Sequence, residues 1–470
     1  MENQISAAAQ QPFSYEELNT FGKIGYINSL AYEMGEVPSS FLYKNILECI
    51  DLYTSLEERD LRQYCAIVVP MAIDEVYLSK FNQKLLDYVH RGGILVSFAS
   101  NFTHFLPYNS GYIQSKTPIK DREIRLESHM IFEGVREYDI NFRRGVKGFF
   151  NRGYFDMSVF PKEHKLEIIL RDSDGQCVGY IDRDSSNGTI LATAGADLLN
   201  FGLFDNTTAR RMGINLMAWI HQELLRQESN QNQTNKPKPP LKARKDFVFT
   251  TTAPNPRKSP LKNAIITGGA SFHHYFFQNK NKKYENFFHH RIYFLDIDKM
   301  DFGEFDYIVL ASRLNAEYLM PHKQKFLSYL ESGGHIISFG EVTKQYLPNI
   351  LWQEYPVNFW WWLIPGADTP LYIQENGKQL FSKMDVDAAK WHYHGAFYPP
   401  KNSQKILTNE LDECIIYKDT TFSGNLYVTS LDPDFHLGQG FMPKTEGFFD
   451  NFMEWAELDM RSSLKESCEA

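Results

Sequence analysis

The sequence predicts an α/β protein made of two tandem domains, each a mainly parallel sheet with helices on both faces. Three observations carry this. The chain repeats itself. Each repeat holds the order strand, strand, helix, Gly-Gly, strand. The strand runs are apolar and β-branched along most of their length, as parallel strands covered on both faces must be.

The repeat is clearest where residues 85–107, LLDYVHRGGILVSFASNFTHFLP, meet residues 326–348, FLSYLESGGHIISFGEVTKQYLP. Leu86 and Leu327, Tyr88 and Tyr329, Gly92-Gly93 and Gly333-Gly334, Ser97-Phe98 and Ser338-Phe339, and Leu106-Pro107 and Leu347-Pro348 coincide without a gap, 241 positions apart (Gly92 and Gly333). In order, IGYIN and AIITG open the repeats, and AIVVP and YIVLA follow some 40 residues later. A helix comes next, with Phe81, Leu85, Leu86 and Val89, or Phe326, Leu327 and Leu330, at helical spacing. Gly-Gly ends it with a left-handed cap, and ILVSFA or HIISFG starts at once. GTILATAGADL (188–198) matches GNLYVTSLDPD (424–434), and RRMGINLMAWIHQELL and GFFDNFMEWAEL close the repeats as amphipathic segments. The expected organisation is an N-terminal extension over 1–19, domains over 20–225 and 261–458, a linker over 226–260 and a tail over 459–470. The linker carries six prolines, eight basic and two acidic residues and reads as a solvated tether.

Composition narrows the function classes. A chain of 470 residues with 43% hydrophobic and 23% charged residues is globular, and its net charge of −9 argues against nucleic acid as a partner. No apolar run is long enough to span a bilayer, so no membrane partner is expected. The first residues lack the basic and apolar regions of a secretory signal. Five scattered cysteines without a CxxC pair fit a reduced compartment and give no zinc framework. The expected location is cytoplasmic.

YVHRGGILVSFAS, SHMIFEGVREYD (128–139) and the stretch 188–220 together resemble the class I glutamine amidotransferase-like superfamily. Its trehalose-utilisation (ThuA-like) branch and the trimerisation domain of some β-galactosidases are the nearest in pattern. The resemblance covers most of 20–225 and, less completely, 262–458. It implies a flavodoxin-like fold in both domains. The superfamily's active members place a nucleophilic cysteine at a strand-to-helix turn; here Ala99-Ser100-Asn101 and Gly340-Glu341-Val342 stand after the third strand. Glutamine hydrolysis is therefore not expected.

In an open parallel sheet, ligands collect beyond the carboxyl ends of the strands. Candidate ligand-binding residues there are Ser100, His104, Asp197 and Glu341. The second repeat is richer, with Trp391-His392-Tyr393-His394 and Asp432-Pro433-Asp434-Phe435-His436. On extended strands His392 and His394 point the same way, as do Asp434 and His436. This gives His394 and His436 as acid and base or metal ligands, Asp432 and Asp434 to orient them, and His392 as a further ligand. No cofactor is required, but a divalent metal in the second domain is one reading of the set. Trp360, Trp361 and Trp362 cannot all face one core, so part of this segment should meet the other domain, a protein partner or a sugar. His273-His274 and His289-His290 flank QNKNKKYEN, which reads as a solvated loop. The leading expectation is a non-catalytic binding or scaffolding protein that takes a protein partner, a second copy of itself or a carbohydrate-like ligand. The alternative is a hydrolase or isomerase acting on a carbohydrate-like small molecule through the His/Asp set.

Overall fold

The computed structural model describes residues 14–30, 36–143, 145–147, 153–201, 203, 207–231, 238–356, 361–440 and 442–469. The chain forms two compact units: Met1–Asn28 with Gly35–Met71 and Ser79–Lys245, and Ser29–Met34 with Ala72–Leu78 and Asp246–Ala470. The main division thus falls inside the expected linker.

Each unit holds a ten-stranded mixed sheet flanked by helices, so both are α/β. In the first, Leu47–Asp51, Ile24–Asn28, Ala66–Val69, Ile94–Ser97 and Thr189–Thr193 lie side by side and parallel. Cys177–Asp182 then joins antiparallel and pairs with both Glu167–Asp172 and Gly153–Phe155. In the second, His290–Tyr293, Asn263–Thr267, Tyr307–Leu310, His335–Phe339 and Leu426–Thr429 form the parallel block. Cys414–Asp419 follows antiparallel and pairs with both Gln404–Thr408 and Gly395–Phe397. The two sheets share one topology, as a duplication requires. The central strands of the parallel blocks are buried at every residue, which is why they read as unbroken apolar runs.

The helices Asn82–His90 and Lys323–Glu331 stop where the glycine pairs stand. Gly92 and Gly333 take left-handed backbone, at φ 102 and 98. The second glycine of each pair lies under a tyrosine ring: a Cβ on Gly93 would stand 2.4 Å from Tyr88, and one on Gly334 2.1 Å from Tyr329. Gly188 and Gly424 close the contact, since their Cβ atoms would meet the carbonyl oxygens of Gly93 and Gly334 at 2.1 and 1.9 Å.

Several expectations change. The edge strands Leu47–Asp51 and His290–Tyr293 were not foreseen; both mix buried and partly exposed positions, so neither forms a continuous apolar run. QNKNKKYEN is no loop: it belongs to the helix Ser271–Phe287, where His273 is buried. The closing helices extend to Gln231 and Glu469, beyond 225 and 458. The end of the expected tether pairs with the second sheet, where the Arg291 amide donates to the Thr251 carbonyl and the Ala253 amide to the His289 carbonyl. The β-branched and aromatic FVFTTT at 247–252 suits extended backbone, and Thr252 makes a single antiparallel bridge to His290, a signal masked by the surrounding prolines. Among the described residues, no helix is long and apolar enough to cross a membrane.

The glycine geometry predicts a graded effect. Gly424→Ala forces a methyl into a backbone carbonyl and should cost about 3 kcal/mol or more, whereas Gly333→Ala, with open space at Cβ, should cost only the left-handed backbone penalty of about 1 kcal/mol. Denaturant unfolding of the two variants checks the order.

Candidate functional site

In the second domain, the segments beyond the carboxyl ends of three parallel strands converge. Residues 311–313 follow Tyr307–Leu310, residues 340–342 follow His335–Phe339, and residues 430–439 follow Leu426–Thr429. Gly340 allows the approach: its φ is 76, its amide donates to the Leu431 carbonyl at 3.0 Å, and a Cβ there would lie 2.7 Å from that of Ser312. Residues 391–394 lead into Gly395–Phe397 and bring a fourth segment.

Asp432 is the centre. Its Oδ2 accepts from Arg313 Nη2 at 2.9 Å, and its Oδ1 accepts from Trp391 Nε1 at 3.2 Å. His436 Nε2 lies 3.2 Å from the same Oδ1 and 3.3 Å from His392 Nε2, while His392 Nε2 is 3.9 Å from that Oδ1. His394 turns Nε2 to within 3.5 Å of Arg313 Nη2 and Nδ1 to within 3.4 Å of Glu341 Oε1. The Arg313 guanidinium also rests over the Phe435 ring, 3.6 Å from its centroid. The whole set is buried: His394 has no exposed surface, and Asp432 and His436 are 1% exposed.

Burial opposes charge, and the partners decide where charge survives. For Asp432, burial alone would raise the pKa. The charge of and hydrogen bond from His436, with the charges of Arg313 and His392, outweigh it and hold the carboxyl well below the usual range. Burial, opposed by Asp432 and reinforced by His436, His394 and Arg313, holds His392 well below the ordinary histidine value and therefore neutral. Burial raises Asp434 to about 6 against the hydrogen bond from the Ser312 backbone.

His392, His394, Asp432, His436 and Glu341, all expected from the sequence, are brought together here. The local structure differs from expectation. His392 and His394 precede the strand rather than lying on it, and Asp434 and His436 belong to the helix Pro433–Gln439. Proline at the first helical position starts that helix, so the residue sharing a face with His436 is Asp432, four positions earlier. Asp434 instead accepts from the Ser312 amide at 2.9 Å. Trp361 donates its indole N–H to the Trp391 carbonyl at 2.8 Å, and Trp362 is exposed; Trp360 lies outside the described residues.

The remaining candidates are in the first domain. Ser100 is buried, and its carbonyl accepts from the Tyr112 amide at 2.9 Å. His104 sets Nε2 3.1 Å from the Ser110 carbonyl oxygen. Asp197 accepts from the Leu199 and Asn200 amides at the start of Leu198–Phe201 and from the Met71 backbone. Met71 matches Ser312 in the repeat, and Asp197 stands one place before Leu198, the residue that matches Asp434, so the two aspartates make similar tethers from adjacent positions. By contrast, the first repeat has Ala72, Ser100, Ala196 and Asn200 where the second has Arg313, Glu341, Asp432 and His436. The positions matching His392 and His394 lie outside the described residues.

Arg313 and Trp391 were not singled out as site residues. A guanidinium directly after a fully buried strand, at the ligand-bearing edge, was the available signal for the first; its φ of 59 is a second mark visible only in the structure. Cys177 and Cys414 begin matching antiparallel strands in the two sheets, and burial raises both thiols to about 12.

No family model matches the chain, and no curated protein matches it. Among solved structures, an exo-β-1,4-mannosidase from Opitutaceae bacterium strain TAV5 aligns with 51% of this chain and 39% of its own, at 9% identity and a TM-score of 0.27. A β-galactosidase from Bacillus circulans sp. alkalophilus aligns over 52% and 35%, at 10% identity and 0.24. The β-galactosidase of Halorubrum lacusprofundi aligns over 57% and 38%, at 9% identity and 0.22. The chain thus spans at most 39% of the length of these proteins. These are distant likenesses, and none fixes an activity.

Asp197 gives a pH prediction. Burial raises it from 3.8 to about 6, so between those values the folded state keeps a proton that the unfolded chain has lost. Its contribution to stability therefore falls as pH rises through that window, by about 3 kcal/mol at the top. Asp197→Asn should flatten this part of the stability curve, as thermal unfolding from pH 4 to 8 would show; an unchanged slope contradicts the assignment.

Proposed function

We propose that the second domain is the chemically active half of this protein, a hydrolase or isomerase acting on a carbohydrate-like small molecule. The first domain is its non-catalytic counterpart. The observation that carries this is the convergence of three histidines, two carboxylates and a guanidinium at the ligand-bearing edge of one sheet; at the places of Arg313, Glu341, Asp432 and His436 the first repeat has alanine, serine, alanine and asparagine. The substrate class follows the resemblance to the trehalose-utilisation branch.

In this reading Asp432 stays ionised and fixes His436 next to His392, which burial keeps neutral. His436 and His394 then serve as acid and base, the pairing that sugar isomerisation or hydrolysis needs. Trp361, anchored on the Trp391 carbonyl, offers a flat apolar face one hydrogen bond from the residue that precedes His392. The site is buried, so substrate entry requires a segment around it to move.

A second reading, a scaffold that binds a protein partner or another copy, draws on Trp362, Ile364, Tyr372 and Ile373, which are all exposed. One experiment separates the two. Across a panel of sugars and activated glycosides, the full chain should turn over at least one, and His436→Asn and His394→Gln should each lower the rate about 100-fold or more. No turnover, with self-association that Trp362→Ala abolishes, would instead support the scaffold.

A further inference from the structure

We propose that His392, His394 and Asp432 form a binding site for a first-row divalent transition-metal ion of the zinc class. The inference shares with the reading above only the premise that the cluster is functional, and it holds whether or not a sugar is turned over.

The donor set is the first argument. Two imidazoles and one carboxylate suit zinc and its neighbours, whereas magnesium and calcium prefer oxygen alone. Each of the three residues offers one ligand atom, and these atoms all lie within 4.8 Å of one another. Bonds of about 2.0–2.2 Å place opposed ligands about 4.2 Å apart and tetrahedral ones about 3.4 Å apart. The site therefore closes onto an ion by side-chain shifts of roughly an ångström.

The surroundings are the second. Glu341 Oε1 lies 3.4 Å from His394 Nδ1, the outer carboxylate that orients a metal-binding imidazole; Nε2, 3.5 Å from Arg313 Nη2, has to turn from that guanidinium to reach the ion. Arg313 engages Oδ2 of Asp432, so Oδ1 is the oxygen turned to His392 and His436. His436 Nε2, 3.3 Å from His392 Nε2 and 3.2 Å from Asp432 Oδ1, stands where a fourth ligand belongs.

Access agrees with the geometry. A buried cluster admits an ion more readily than a sugar.

The test uses the full chain, stripped with a chelator and dialysed against zinc or cobalt(II). The expected result is one ion per chain by elemental analysis, with a higher unfolding temperature and a cobalt visible spectrum. His394→Gln and Asp432→Asn should each lose the ion. Glu341→Gln should keep the stoichiometry with affinity about 10–100-fold weaker, and His289→Gln, away from the cluster, should bind as the parent does. Circular dichroism establishes that each variant is folded. Folded parent protein that binds neither metal overturns the proposal, as does binding unchanged in both ligand variants. Sugar turnover by protein that binds neither metal would remove the metal site and leave the acid–base reading standing; a bound ion without turnover would do the reverse.

Discussion

The second domain is organised around a point where no side chain can stand. The Gly424 backbone lies against the Gly334 carbonyl, and the Tyr329 ring covers Gly334. That contact ends one helix and starts two neighbouring strands together: the Gly424 amide donates to the Leu330 carbonyl, and the Ile336 amide to the Asn425 carbonyl. The register follows, with Ile336 beside Leu426 and Phe339 beside Thr429. Strands that begin level also end level, which brings Gly340, Glu341 and Asp432 to one edge of the sheet. The first domain repeats the device with Gly93, Gly188 and Tyr88, and its Thr189 amide donates to the Gly93 carbonyl.

The duplication separates fold from chemistry. Asp197 and Asp434 stand at adjacent rather than matching positions of the two repeats, yet each ties the loop after the last parallel strand to the backbone of a neighbouring loop. They belong to the architecture, and each pays for its burial with a raised pKa. Arg313, Glu341, Asp432 and His436 have small or neutral counterparts in the sister domain, so this topology closes without them. Buried charges are costly to keep unless they are paired or used. Their confinement to one copy is what the proposed function draws on.

Much of this was legible in the sequence. The gapless match through Gly-Gly fixed the duplication, and the apolar runs located the central strands because burial on both faces leaves no room for alternation. His392, His394, Asp432 and His436 were recognisable by residue type. Their geometry was not, since Pro433 turns the segment after Asp432 into a helix and substitutes an i, i+4 relation for the alternation of a strand. Arg313 carried little local signal because its role depends on a partner 119 positions away. The single bridge from Thr252 to His290 was hidden by prolines on either side, and the edge strands by half-exposed residues that break the apolar pattern.

The central claim is that the ion pair at the heart of the cluster is not what holds the second domain together. A double-mutant cycle on Arg313 and Asp432 tests it most directly, using alanine, the residue that the first repeat carries at both matching places. Each single substitution strands a buried charge and should cost about 3–5 kcal/mol, while the double variant, with no charge left unpaired, should lose less than either single one. A double variant that loses the sum of the two single costs, or fails to fold, would contradict the account and make the cluster a structural element.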